Sequence, residues 1–307
     1  MYPLNPDKLD ELLHLGQRIP HHPISRLAGK IAESRFPPLK NLLIQGFINA
    51  YNVNMAEAVN SNPKRYSSFN SFFTRPLAPG ARPIAANESA LISPADGQLS
   101  QFGNINNDRL IQAKGKDFSL AALLGHTTQT GETASAALPD YCSHFQNGKF
   151  ATVYLSPSDY HRVHMPLDGT LTDMVYIPGK LFSVNERTAR LEHELFARNE
   201  RVVCFFDTEI GKVAVILVGA MIVASMATVW SGILPPKDEV THTSYQPGQV
   251  TLKKGDEMGR FQLGSTVIML LPQHRFAFEA SLELGQKLRM GEAVGAMATT
   301  PSTEATS

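Results

Sequence analysis

Residues 213–230 carry no charged side chain, and fifteen of these eighteen residues are apolar. An uncharged apolar run of this length meets the length criterion for a helix that crosses a bilayer. The same run is rich in valine and isoleucine, and Gly219 divides it into two halves, a pattern typical of two consecutive buried strands. Periodicity alone does not separate the two interpretations, but the β-branched composition favours strands.

The charge balance and the cysteines exclude several classes of protein. The chain of 307 residues has 28 basic and 28 acidic side chains, whereas a surface that follows nucleic-acid phosphates usually leaves a basic excess. We therefore expect no nucleic-acid partner. Cys142 and Cys204 lie far apart, so the sequence has neither a disulfide framework nor a Cys-x-x-Cys motif. The cytosolic side of a membrane is therefore the expected compartment.

The N-terminal region has the pattern of basic amphipathic helices. Apolar residues follow helical spacing over residues 24–32 and again over residues 39–51, after two prolines. Between residues 14 and 48, five basic side chains stand against one acidic side chain, so the overall neutrality conceals a local excess. Such a helix pair can lie in an anionic membrane surface. The alternative is a helical hairpin that packs on its own domain.

The sequence pattern changes near residue 91, where short β-branched or aromatic runs begin to alternate with turn residues. Strands are predicted at residues 150–155, 169–177, 202–206, 213–218 and 266–271, and short helices at residues 117–124 and 185–192. The tail, residues 296–307, is rich in Thr, Ser and Ala and is predicted to be disordered. The sequence therefore predicts an α+β protein, with N-terminal amphipathic helices followed by a β-rich catalytic body.

Two of the segments that can carry chemistry are weak signals when taken alone. Ser-Pro-Ala-Asp-Gly at residues 93–97 has the composition of a plain turn. His161 and His164 lie three residues apart, but no Cys, His or Glu stands at an offset that would complete a zinc site. We therefore expect no metal. A neutral histidine near pH 7 can instead accept a proton from a hydroxyl or return one to a carbanion.

The third segment places Gly264 directly before Ser265, at the entry to an apolar strand. It is not the Gly-x-Ser-x-Gly elbow of α/β-hydrolases, because the flanking glycines are absent. Gly264 has no Cβ, so its carbonyl is accessible and its backbone adaptable. The hydroxyl of Ser265 could then attack the carbonyl carbon of its own peptide bond.

An ordered set of motifs closely resembles the bacterial, pyruvoyl-dependent phosphatidylserine decarboxylase family. The motifs are Phe-Asn-x-Phe-Phe-x-Arg-Pro-Leu at 69–77, Pro-Ala-Asp-Gly at 94–97, Tyr-His-Arg-Val-His-Met-Pro at 160–166, Tyr-Ile-Pro-Gly-x-Leu-Phe-Ser-Val-Asn at 176–185, Val-Gly-Ala at 218–220 with Thr-Val-Trp at 228–230, Lys-Gly-x-Glu-x-Gly-x-Phe at 254–261 and Leu-Gly-Ser-Thr at 263–266. Leu-Gly-Ser-Thr alone would be a weak signal, whereas the ordered set is highly specific and covers most of residues 65–295.

The resemblance implies that the chain makes its own cofactor. Asp96, His164 and Ser265 would form a triad in which Asp96 orients the imidazole and His164 takes the proton of Ser265. Ser265 would attack the Gly264 carbonyl, and cleavage would leave a covalent pyruvoyl group at residue 265. The resulting β chain (residues 1–264) and α chain (residues 265–307) would stay associated noncovalently, because the shorter chain cannot bury a core alone.

The activity implied is the decarboxylation of phosphatidylserine to phosphatidylethanolamine, through a Schiff base between the pyruvoyl group and the substrate amine. His161 is the residue implied to assist decarboxylation or to supply the proton, although histidines three apart can share a site. The division implied is a membrane-association region at residues 1–75, a catalytic domain at 76–295 and the tail at 296–307.

The implied partners are phosphatidylserine in an anionic membrane and a second two-chain pair, forming a homodimer. A diacyl lipid stays in the bilayer because each buried methylene contributes about 0.8 kcal/mol. The enzyme is therefore expected as a peripheral protein on the cytoplasmic face of the cell membrane. The N-terminal helices would be its anchor, and residues 213–230 would belong to the β core instead of crossing the bilayer.

Three other functions remain open at this point. A serine hydrolase could use the same Asp–His–Ser set without self-cleavage. A pyruvoyl decarboxylase could act on a small amino acid, and a noncatalytic module could bind lipid. Two sets of side chains also have open roles: Phe69, Phe72 and Phe73 either line a lipid entry or pack in the core, and Lys180, Arg75 and Arg162 are cations that could meet a phosphate.

Overall fold

A computed structural model describes residues 28–113, 116–126, 138–220, 225–262 and 265–297. Residues 28–32 are helical. The helices that follow are α1 (Pro37–Tyr51), α2 (Phe69–Phe73), α3 (Leu120–Leu124), α4 (Glu186–Leu191) and α5 (Leu195–Arg198). Helix α1 confirms the helix predicted over residues 39–51. Its two prolines occupy the first positions, where a missing N–H costs nothing, and it ends at Asn52 in the left-handed conformation.

Helix α1 packs one side against α2. The ring of Phe47 lies 5.2, 6.0 and 5.7 Å from the rings of Phe69, Phe72 and Phe73, measured between centroids. All three partner rings are buried. Of the two roles considered for these phenylalanines, packing in the core is therefore the one that the structure shows. Leu42, by contrast, is 71% exposed, and Phe36 just before the helix is 64% exposed. The helix therefore packs on its own domain and still presents apolar side chains outward.

The strands follow one another along the rest of the described chain. They are β1 (Ala90–Ile92), β2 (Gly97–Asn104), β3 (Arg109–Ala113), β4 (Lys116–Ser119), β5 (Lys149–Leu155), β6 (Arg162–His164), β7 (Gly169–Ile177), β8 (Arg201–Thr208), β9 (Gly211–Gly219), β10 (Met226–Thr228), β11 (Gly232–Leu234), β12 (Thr241–Ser244), β13 (Thr251–Leu252), β14 (Glu257–Phe261), β15 (Ser265–Leu271), β16 (Phe276–Phe278), β17 (Lys287–Leu288) and β18 (Ala293–Met297). A few helices thus precede a sheet-rich body, which confirms the α+β prediction.

One large antiparallel sheet organises this body. Its strand order is β12-β7-β8-β9-β15-β5-β2-β17, with β13 pairing beside β12 on β7. Strand β15 is an inner strand that pairs with β5 on one side and β9 on the other. Smaller sheets have the orders β11-β10-β14-β6, β1-β18-β16 and β3-β4.

The uncharged run at residues 213–230 forms strands β9 and β10, as predicted; residues 221–224 lie outside the described chain. Side chains of β9 alternate between two apolar clusters, with Val213, Val215 and Leu217 in one and Ala214, Ile216 and Val218 in the other. A strand that is buried on both faces has a continuous hydrophobic sequence, which explains the run. Among the described residues, no helix has the length and apolar character needed to span a bilayer.

The predicted strands correspond to β5, β7, β8, β9 and β15, and the helix predicted at 185–192 corresponds to α4. The helix predicted at residues 117–124 is wrong over its first half. Residues 117–119 belong to β4, where Phe118 is fully buried and pairs with Leu110 of β3. Helix α3 begins only after Ser119, whose hydroxyl accepts a hydrogen bond from the N–H of Ala122.

Candidate active site

Ser265 is the first residue of the inner strand β15, paired with Leu155 on one side and Gly219 on the other. Its side chain is fully buried. Its hydroxyl makes no hydrogen bond to any residue that the structure describes. Buried polar atoms are nearly always paired, so an unpaired one calls for an explanation such as a catalytic role. Leu263 and Gly264, which precede it, lie outside the described residues.

The ring of His164, at the end of β6, is held at both nitrogens. Its Nδ1 lies 2.8 Å from the carbonyl oxygen of Gly255, and a carbonyl only accepts, so Nδ1 carries the proton. Its Nε2 accepts from the hydroxyl of Tyr160 at 3.0 Å. Burial is the main cause that lowers the pKa of His164. The imidazole is therefore neutral, with Nε2 as its basic nitrogen.

Gly255 presents its carbonyl to His164 from a turn with φ of +87°. Glycine adopts this left-handed conformation readily, whereas other residues are strained there. A Cβ at this position would also lie 2.9 Å from the Cδ1 atom of Ile84. The glycine of the Lys-Gly-x-Glu motif thus allows the turn whose carbonyl oxygen holds the ring of a histidine 91 residues away.

Asp96 is bound by Arg82 and not by His164. Nε of Arg82 donates to Oδ1 of Asp96 at 2.8 Å, and the backbone N–H of Met290 donates to the same oxygen at 2.9 Å. Arg82 also pairs with Glu57 at 2.8 Å. The hydrogen bonds that Arg82 donates to Asp96 are the main cause that raises the pKa of Arg82. The negative charge of Asp96 is therefore neutralised within a largely buried ion pair.

Gly97, which follows Asp96, allows β2 to begin close against β5. A Cβ at residue 97 would lie 2.4 Å from the carbonyl oxygen of Tyr154, a distance that no side chain tolerates. Asp96 therefore stands before β2 and Ser265 begins β15, and both strands flank the same end of β5. His164 joins them through its N–H, which donates to the carbonyl of Pro94 at 2.8 Å.

His161 is fully buried beside α2. Its ring stacks on that of Phe73, and its Nε2 lies 3.4 Å from the carbonyl oxygen of Pro157. Its Nδ1 has no hydrogen-bond partner in the described part of the chain. Burial, followed by the positive charge of Arg75, lowers the pKa of His161 to about 3. The imidazole is therefore neutral at physiological pH.

The structure thus brings the four predicted side chains onto neighbouring segments without joining them. In the described residues, no hydrogen bond links Asp96, His164 and Ser265 into a triad. Tyr160 and Gly255, which bind His164 directly, stand within the recognised motifs but received no role from the sequence. Arg82 carried no motif signal, because its pairing with Asp96 depends on the tertiary fold.

A cavity of about 490 Å³ adjoins these residues. Its lining includes Asp96, Tyr160 and the cations Arg75, Arg82, Lys287 and Arg289. Of the three cations considered for a phosphate, Arg75 lines this cavity. Arg162 instead pairs with Glu257 at 2.7 Å. Neither Arg162 nor Lys180 is part of the cavity wall.

The described residues contain no cluster of three or more His, Cys, Asp or Glu side chains arranged to hold a metal ion. Cys142 and Cys204 are both free thiols. Burial raises the pKa of Cys142 to about 12, which keeps this thiol protonated and unreactive. The candidate site itself contains a buried serine, two neutral histidines and a paired carboxylate.

Comparison with known proteins places the chain in a family. A family model described as phosphatidylserine decarboxylase matches residues 69–296, and a second, described as PSD, matches residues 17–52. A relative from Azotobacter vinelandii named phosphatidylserine decarboxylase proenzyme is 52% identical over 296 residues, covering 93% of this chain and 98% of the relative. A relative of the same name from Saccharophagus degradans is 50% identical over 294 residues, covering 95% of this chain and 99% of the relative. The chain therefore belongs to the phosphatidylserine decarboxylase family.

Proposed function

We propose that this protein decarboxylates phosphatidylserine to phosphatidylethanolamine after it converts Ser265 into a pyruvoyl group. The relatives that carry the name phosphatidylserine decarboxylase proenzyme align with almost the whole chain. The observation that carries the proposal is the buried hydroxyl of Ser265, which has no partner among the described residues and directly follows Gly264. The buried hydroxyls of Thr152 and Thr266 in the same sheet are also unpaired among the described residues, so it is the place of Ser265 directly after Gly264 in the Leu-Gly-Ser-Thr motif that gives its free hydroxyl a reactive role.

The surroundings of residue 265 fit a small uncharged electrophile. The residue is fully buried, and the pKa values of His161 and His164 are both lowered by burial, so the two imidazoles assigned to the site are uncharged. A pyruvoyl group at residue 265 would supply a carbonyl that forms a Schiff base with the substrate amine and accepts the electrons released with CO₂.

Self-cleavage would begin with the hydroxyl of Ser265. Its oxygen bonds to the Gly264 carbonyl carbon, the peptide C–N bond breaks, and an ester forms with a free amine on residue 265. Loss of the Cα proton of residue 265 then breaks its Cβ–Oγ bond and releases the carboxylate of Gly264. The remaining dehydroalanine takes up one water and releases ammonia, which leaves a carbonyl at residue 265.

His164 is the base that we assign to this cleavage. Gly255 fixes the proton on Nδ1, so Nε2 is free to accept once Tyr160 gives up its hydrogen bond. Asp96, although paired with Arg82, would support the imidazolium weakly, since its charge is the smallest of the causes that act on the pKa of His164. The exchange of Tyr160 for Ser265 at Nε2 is the step that starts the reaction.

His161 is the residue that we assign to decarboxylation. Burial lowers the pKa of His161 to about 3, so the ring is neutral and would take up a proton from solvent before passing it on. Phe73 covers one face of the ring, which keeps water away from the carboxylate that must lose its charge. His161 would assist the loss of CO₂ and return a proton to the former α-carbon.

The proposal includes the organisation of the mature protein. Residues 1–75 would form a membrane-association region, residues 76–295 the catalytic domain and residues 296–307 a tail, although the structure places Ala296 and Met297 in strand β18. The β chain (1–264) and α chain (265–307) remain together, and two such pairs form a homodimer. The exposed Phe36 and Leu42, beside the basic residues of this region, would hold the enzyme peripherally on the anionic cytoplasmic face of the membrane.

The intact mass of the purified protein tests the proposal. We expect two chains that meet between Gly264 and residue 265, with no free amine on the shorter chain. Ser265→Ala should give one intact chain without decarboxylase activity, whereas Ser244→Ala, an exposed serine on β12, should be cleaved normally. An active preparation made of one unmodified chain would refute the proposal. Labelling of that chain by a serine-directed phosphonate would instead identify a serine hydrolase.

A further inference from the structure

Arg75 is a buried cation without an ion-pair partner in the described part of the chain. It is 3% exposed, and its Nε and Nη1 atoms have no hydrogen-bond partner among the described residues. Its Nη2 donates to the carbonyl oxygen of Ser158 at 3.3 Å, and the guanidinium lies 5.4 Å from the centre of the Phe72 ring. A buried guanidinium needs an anion or several acceptors to offset its lost hydration. Arg75 has only one long hydrogen bond and the contact with the Phe72 ring to offset that loss among the described residues.

The acidic side chains around Arg75 form ion pairs or hydrogen bonds with other residues. Asp96 and Glu57 both bind Arg82. Asp159 accepts hydrogen bonds from the N–H and the hydroxyl of Ser156, each at 2.7 Å. The charge of Arg75 is therefore available for an anion that comes from outside the chain.

Two further cations stand on the same cavity. Lys287 and Arg289 line it together with Arg75, and both are exposed while Leu288 and Met290 between and after them are buried. Arg75 and the other two cations lie on opposite sides of the cleavage site in sequence. Three cations of which one is buried and two are exposed form a site that an anion can enter from solvent.

We propose that Arg75, with Lys287 and Arg289, binds the phosphodiester of the lipid headgroup. This assignment rests on the proposed function, which provides a substrate with a phosphodiester and a carboxylate. An ion pair to the carboxylate would stabilise the ground state and weaken as CO₂ leaves, which slows the reaction. The phosphodiester keeps its charge throughout, so its binding positions the amine without opposing the chemistry.

Phosphodiester binding can be measured without the catalytic carbonyl. Glycerophosphoglycerol is a phosphodiester without an amine, and N-acetylserine is a carboxylate without a free amine, so neither can form a Schiff base. We expect ³¹P line broadening to report binding of glycerophosphoglycerol by the purified wild-type protein. Arg75→Met should raise the Kd about tenfold or more, since a hydrogen bond to a charged group contributes at least that factor.

Matched variants decide the outcome. Arg65→Met removes an exposed arginine of the same region that does not line the cavity, and it should leave the Kd unchanged. If Arg75→Met does not fold, the pair Lys287→Met with Arg289→Met carries the test, because both residues are exposed; it too should raise the Kd several-fold. Unchanged binding in these variants, or a loss confined to N-acetylserine, would overturn the assignment. Binding of glycerophosphoglycerol by a chain that never cleaves would support the subsite and refute the proposed function.

Discussion

The imidazole of His161 lies nearly parallel to the ring of Phe73, with the centroids 4.0 Å apart and the planes inclined by 22°. Phe73 also contacts Phe47 and Phe69, so one ring belongs both to the N-terminal aromatic cluster and to the candidate site. Because α2 carries Phe73 and α1 packs on α2, the helices and the histidine cannot shift independently. The N-terminal region is therefore connected to the site through this stack.

Phe73→Leu should slow decarboxylation while leaving chain cleavage intact. Loss of the stack lets the His161 ring move, and a misplaced catalytic group costs about tenfold or more in kcat. Phe69→Leu is the matched control, since Phe69 belongs to the same cluster and stacks on Phe73, whereas the ring contact of His161 is with Phe73. Both variants should lose about 1–3 kcal/mol of stability. Equal kcat values for the two variants would argue against a positioning role for Phe73.

The free energy of unfolding should fall as the pH is lowered from 7.5 to 5.5. The folded-state pKa values of His161 and His164 lie below the ordinary value of 6.5, so the unfolded chain binds more protons below that pH. Each histidine then contributes a slope of at most about 1.4 kcal/mol per pH unit. Their stabilising contribution is complete above pH 6.5 and is lost towards the folded-state pKa values.

Urea unfolding of the Ser265→Ala protein, which should remain one chain, measures this slope. Burial raises the pKa values of Asp159 and Glu200, and these groups change stability in the opposite sense. The comparison with His161→Gln therefore isolates the histidine: the slope should become shallower. His144→Gln, which replaces an exposed histidine, is the control. A slope that is the same with and without His161 would contradict the prediction.

Removal of Arg82 should destabilise the protein more than removal of an exposed cation. Arg82 and Asp96 have side chains only 7% and 9% exposed, so Arg82→Met leaves a buried carboxylate unpaired at a cost of about 3 kcal/mol. Lys253→Met breaks an exposed pair with Asp168 and should change the stability far less, because solvent screens an exposed pair. Denaturant unfolding in the Ser265→Ala background compares the two.

A double-mutant cycle refines this comparison. Arg82→Met combined with Asp96→Asn removes both charges, so the double variant should be more stable than the sum of the two single changes implies. An additive result would mean that the Arg82–Asp96 pair contributes nothing to folding. Cleavage of the Asp96→Asn chain, measured in the otherwise wild-type protein, tests the role proposed for Asp96 in self-cleavage.

Membrane association should depend on the exposed apolar residues at the start of α1. Leu42→Glu places a charge where an apolar side chain is 71% exposed, so binding to vesicles that contain phosphatidylserine should fall several-fold. Gln273→Glu adds the same charge at an exposed position of the β body and serves as the control. Co-sedimentation with the vesicles measures both variants. Equal sedimentation would exclude this face of α1 from the contact.

The β core was predictable because its strands have sequences that only burial explains. Residues 213–218 are apolar without alternation, and β9 is buried on both faces. The first half of the predicted helix at 117–124 failed because Phe118 pairs with Leu110 in a hairpin, a tertiary contact that overrides local propensity. For the candidate site, motif resemblance supplied the residue types. The hydrogen-bond partners of these residues are distant in sequence, as Gly255 is 91 residues from His164. A local sequence pattern does not predict such contacts.

The inner position of β15 has a consequence for how a chain cut before Ser265 would lose its structure. A break before Ser265 would release the chain at the first residue of a strand paired over seven residues with β5 and six with β9. The shorter chain could then depart only if the central ladder opened on both sides. Once apart, the two chains would have to find each other again, so recovery would depend on protein concentration, unlike the first folding of the uncut chain. Denaturation of the cleaved enzyme would therefore be governed by the rate of opening and would be hard to reverse.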